Sequence, residues 1–153
     1  MRGEFSGAVA GFLVAAGLGL APAAQAGLGE GVDSVARDHA ALRAQAASVV
    51  PMQAYDVHEM ATSGGRVREY VTRTGTVFAV TFQGPSMPNL HAVLGSHYGE
   101  YATAVSARRT NHKVFAMSEP GLVMEVVKLP RGFTGSAHVP ALLPAGVAAR
   151  DLR

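Results

Sequence analysis

The side chains best suited to chemistry lie in one short stretch of this chain: His58, Glu59, Arg68, Glu69 and Tyr70. An imidazole beside a carboxyl group supplies a general base and a general acid near neutral pH, and an adjacent arginine anchors an anion through a forked hydrogen bond. The same residues also read as cross-strand ion pairs on a half-exposed sheet, each worth a few tenths of a kcal/mol to about 1 kcal/mol. The ion-pair reading takes precedence, because mixed charges are ordinary on strands and no cleft is legible in the sequence. His58-Glu59 opens like a zinc-protease helix motif, but position 62 is Thr where a second histidine is required, and the segment has strand character.

Other chemistries find less support. His39, His91, His97, His112 and His138 show no ligand spacing, and His91 and His97 stand six apart, on different sides of a helix. No metal or cofactor is therefore expected, and His97 reads as a core residue. Ser63-Gly64-Gly65 lacks the strand-to-helix elbow of a serine nucleophile, and no phosphate loop or dinucleotide fingerprint is present. Cysteine is absent, which excludes thiol nucleophiles, thiolate metal sites and disulfides. A net charge of +2 with mostly scattered bases does not suit a nucleic-acid surface. The one dense basic group, Arg108, Arg109, His112 and Lys113, falls where a helix should end, and cations there complement its dipole.

The candidate residues need a sheet to hold them. From position 53 to 83 the apolar period is that of strands, predicted at Tyr55–Ala61, Val67–Thr72 and Thr76–Gln83 with turns at Ser63-Gly64 and Thr74-Gly75. Hairpin arithmetic then sets Glu59 opposite Arg68, His58 opposite Glu69, and Glu69 opposite Val80. Before this meander, apolar residues from Val32 to Val49 at spacings of three and four predict one helix, capped by Asp33 and stopped at Pro51. After it, Asn89 caps a second helix whose inner face is Leu90, Val93, Leu94, His97, Tyr98, Tyr101 and Val105, packed on Phe78, Val80 and Phe82. Strands follow at Lys113–Met117 and Leu122–Leu129, with a short one at Gly135–Val139, and the proline-rich tail 140–144 is expected to lie extended with its leucines inward. The fold class is α+β: a small antiparallel sheet, a three-stranded meander plus a C-terminal hairpin, packed by one or two amphipathic helices.

Residues 1–26 have the order of a secretory signal peptide: Arg2, an uncharged stretch from Ala8 to Ala24, and the Ala24-Gln25-Ala26 cleavage pattern. Cleavage after Ala26 leaves residues 27–153 as one exported domain without a membrane span, beginning with a small, flexible Gly27–Gly31 lead-in.

Tyr55-Asp56-Val57-His58-Glu59, Val67-Arg68-Glu69-Tyr70-Val71, Gly84-Pro85-Ser86-Met87-Pro88-Asn89-Leu90 and Pro140-Ala141-Leu142-Leu143-Pro144 together resemble domain of unknown function 2844. The resemblance covers almost the whole exported portion. It implies an exported bacterial protein and supplies no activity, cofactor or catalytic residue. The family commonly has Trp in place of Phe82 and Asp in place of Asn89, and often Arg in place of Ser136. The sequence thus points to a non-enzymatic binding or interaction module of the cell envelope, working through a sheet edge or the tail on a partner it does not identify. The alternative is a small hydrolase or lyase using His58 with Glu59 or Glu69.

Overall fold

β-Branched and aromatic residues alternating with polar ones favour strands, which make up the larger part of the regular structure among the described residues. The computed structural model describes residues 27–107 and 113–152. Residues 1–26, where a signal peptide is predicted, and Arg108, Arg109 and His112 of the basic group lie outside the described residues. The elements are α1 (Asp33–Ala41), β1 (Ala46–Pro51), β2 (Tyr55–Thr62), β3 (Gly65–Thr72), β4 (Val77–Gly84), α2 (Leu90–Leu94), α3 (Tyr98–Ala107), β5 (Val114–Ser118), β6 (Val123–Leu129) and β7 (Gly132–His138). All seven strands join one antiparallel sheet in the order β1-β2-β3-β4-β7-β6-β5.

The sheet is α+β as expected but larger than a meander plus a hairpin, for two reasons. The first helix ends early. Arg43 takes a left-handed conformation with φ 51°, and the N–H groups of Arg43 and Ala44 return to the carbonyls of Ala40 and His39, which closes the last turn. The following segment, with Val49 and Val50, then pairs as β1 along β2 instead of continuing the helix. Secondly, β7 inserts between β4 and β6, so it stitches the meander to the hairpin at the centre of the sheet. That pairing spans some fifty residues of chain and leaves no local trace in the sequence.

The meander register is as the hairpin arithmetic requires: Glu59 faces Arg68, and Glu69 stands between His58 and Val80. A bulge follows, where Tyr70 pairs with Ala79 and Val71 with Val77, leaving Phe78 as the extra residue. The bulge turns Phe78 away from Val80 and Phe82 to the opposite face, where its ring meets Tyr55 edge-on at 5.6 Å and Tyr70 at 6.2 Å.

One sheet face carries the helices over a core that includes Met60, Val67, Val80, Phe82, Met124 and Val126. Asn89 caps α2 with its side-chain oxygen, accepting from the N–H groups of His91 and Ala92, and Leu90, Val93 and Leu94 are buried. Gly95–His97 forms a short 3-10 turn before α3. His97 is half-buried rather than core, with its Nδ1 3.0 Å from a Glu100 carboxylate oxygen. The lead-in is not flexible either: Leu28 is fully buried, its N–H bonds to Val93, and Gly29 bonds to Val77.

The tail covers part of the other face. Pro140–Leu142 forms a 3-10 turn instead of an extended run, and Leu142, Leu143, Val147 and Leu152 pack on Val57, Tyr70, Phe78 and Ala79. No helix among the described residues is long and apolar enough to cross a membrane.

Candidate functional site

Side chains on a strand alternate between faces, so adjacent residues of the predicted cluster separate. His58 and Glu69 point to the helix-covered face, and Glu59, Arg68 and Tyr70 to the other. The structure therefore does not assemble the five into one site. His58 is kept apart from the Glu59 carboxylate by the sheet itself, and burial holds its pKa below the usual imidazole value, against the pull of Asp56.

On the helix-covered face, His58 and His39 line a mostly apolar groove of about 390 Å³ between α1 and β1, with Val32, Val35 and Val49. Glu69 does not open into it. Its carboxyl group is fully buried with those of Asp38 and the hydroxyl of Ser34, both from α1, and none of these finds an N–H or O–H donor on a described residue. Two facing carboxylates have no donor between them unless one is protonated. Burial, then the hydrogen bond and charge of Asp38, push Glu69 up to about 9. Asp38 is also raised, to about 6, by burial acting against the Glu69 hydrogen bond and the charge of Arg37.

The other face holds an open cleft of about 370 Å³. Its floor is one cross-strand row in which each residue is the register partner of the next: Arg68 on β3, Thr81 on β4, Ser136 on β7 and Glu125 on β6, with Glu59 on β2 continuing the row just beyond the cleft. A parallel row supplies Arg66, Gln83, Thr134 and Val127. Leu152, carried there by the tail, forms a wall and turns an otherwise flat sheet face into a cleft.

Glu59 sets both arginines. One of its carboxylate oxygens lies 2.7 Å from Nε of Arg68 and the other 3.1 Å from Nε of Arg66. Neither arginine's terminal nitrogens bond to another described residue, and these are the groups that grip carboxylates and phosphates. Thr81 is oriented by Tyr70, whose phenol oxygen is 3.2 Å from its hydroxyl. Burial raises the Tyr70 pKa, opposed by that bond and by the charge of Arg68, so Tyr70 stays protonated. At the far end Glu125 is exposed and makes no ion pair with a described residue.

Of the expected cluster the cleft thus keeps Arg68, with Glu59 and Tyr70 beside it as partners of Arg68 and Thr81, and it adds residues that local reading passes over. The alternation of Thr81 and Gln83 with Val80 and Phe82, and of Thr134 with Ser136, was the available signal. It could not become a site without knowing that β4 and β7 are neighbours. Among the described residues, no group of three or more His, Asp or Glu side chains is placed to hold a metal.

A family model described as "Protein of unknown function (DUF2844)" matches residues 24–152. No curated protein and no solved structure matches the chain.

Proposed function

Because the chain belongs to the DUF2844 family, whose description carries no activity, we propose its function from the site: an exported binding module of the cell envelope that holds a small polar ligand in the Arg66/Arg68 cleft. The observation that carries this reading is the clamp of Glu59 on the Nε atoms of two arginines that both line a ligand-sized space. The hydroxyls of Thr81, Thr134 and Ser136 add hydrogen-bonding groups that suit binding and supply neither a base nor a nucleophile relay. A hydrolase or lyase built on His58 has less support, since Glu59 lies across the sheet and Glu69 is sealed beneath α1.

The test is native mass spectrometry of the protein recovered from the cell envelope. A small molecule retained by the wild type and lost in both Arg68→Gln and Ser136→Tyr, with circular dichroism showing both variants folded, supports the reading. Equal retention by all three, or retention by none, overturns it.

A further inference from the structure

The charges along the cleft floor are ordered, and the order specifies the ligand. Arg66 and Arg68 stand on β3, only hydroxyl and amide groups stand on β4 and β7, and the carboxylate of Glu125 stands on β6. With one arginine charge balanced by Glu59, the cleft presents a net cation at one end and an unpaired anion at the other. A purely anionic ligand would leave Glu125 opposed to nothing or to a like charge. A ligand complementary to both ends carries an anion and a cation of its own.

Length narrows the class. Adjacent strands lie about 4.8 Å apart, so the three steps from Arg68 to Glu125 separate their backbones by about 14 Å. Side chains stand roughly perpendicular to a sheet, so a hydrogen bond of about 2.9 Å at each end leaves about 8 Å, the amine-to-carboxylate length of an extended peptide of two or three residues at about 3.5 Å each. The hydroxyls and the Gln83 amide between the ends match peptide N–H and C=O groups, and Val127 and Leu152 offer apolar surface to small side chains. We infer that the cleft is a site for a short zwitterionic peptide, its carboxylate on Arg66 and Arg68 and its amine on Glu125. This inference rests on the cleft being the binding site.

The experiment is an NMR titration of the purified protein with four probes: trialanine, N-acetyl-trialanine, trialanine amide and inorganic phosphate. Trialanine should shift the backbone amides of Thr81, Ser136 and Glu125 and bind at least tenfold more tightly than either blocked form. In Glu125→Gln the free and acetylated peptides should bind alike, whereas Arg68→Gln should remove the advantage over the amide. Acetylated peptide or phosphate binding as tightly as trialanine overturns the dipolar ligand and leaves the cleft reading standing. Shifts confined to residues outside the cleft overturn both. No shift with any probe overturns the peptide inference alone, because retention of a cellular ligand is judged separately by mass spectrometry.

Discussion

Asp38 of α1 and Glu69 of β3 bury their carboxyl groups together where α1 packs on the sheet, and burial raises the pKa of both. Neither side chain has a hydrogen-bond donor among the described residues, so added negative charge is borne in a largely apolar setting that only the Arg37 charge beside Asp38 relieves.

The pair fixes the pH dependence of stability. Both folded pKa values are raised, so the folded state holds more protons than the unfolded chain from about pH 4 upward. Stability contributed by the protons is complete below the unfolded values and is lost as pH rises, first through about 6 for Asp38 and then through about 9 for Glu69. The wild-type melting temperature should fall between pH 7 and pH 10. Glu69→Gln, which keeps a donor to Asp38 without a titrating proton, should flatten that decline. Thermal melts at pH 6, 8 and 10 measure it, and parallel curves for both proteins would refute the raised Glu69 pKa.

Glu59→Gln should separate binding from stability. The ion pairs it weakens are partly exposed and stabilise the fold by about 0.2–1 kcal/mol at most. Both guanidinium groups nevertheless lose their orientation, so ligand affinity should drop several-fold while the urea midpoint barely moves. Paired calorimetry and urea titration read the two effects.

Gly135 is required by its neighbour. A methyl group there would sit 2.4 Å from the tip of the Phe82 ring and 2.9 Å from the Glu125 carbonyl. Gly135→Ala should destabilise by about 1–3 kcal/mol through overpacking. Gly135→Ala combined with Phe82→Leu should recover part of the loss in a double-mutant cycle.

Leu28 tests whether the segment after the cleavage pattern belongs to the core. Fully buried in the helix-side cluster, it should cost about 2–5 kcal/mol when changed to Ala. A flexible lead-in would give a change close to zero in the denaturant midpoint.

Asn89→Ala removes the oxygen that accepts from the N–H groups of His91 and Ala92. The expected loss is about 0.5–2 kcal/mol, and Asn89→Asp should retain the cap. Thermal melts of the two variants side by side measure the difference.

Local rules acting over a few residues were enough for the register of the meander and the Asn89 cap, though not for the break of the predicted helix at Gly95–His97. The two-residue turn at Ser63-Gly64 and the alternation in β2 to β4 placed Glu59 against Arg68 and Glu69 between His58 and Val80 before any coordinates. The absence of cysteine likewise settled which chemistries are closed to the chain. Other features depended on energies that local patterns do not carry. Val49 and Val50 fit a helical face or a strand equally well, and the free edge of β2 decided for β1. The bulge sent Phe78 to the opposite face, and the insertion of β7 beside β4 brought Thr81, Ser136 and Glu125 into one row with Arg68. The packing of α1 on the sheet made Glu69 a buried carboxyl group rather than a surface ion-pair partner. Long-range strand pairing and desolvation depend on which distant segments meet, and only the tertiary structure settles that.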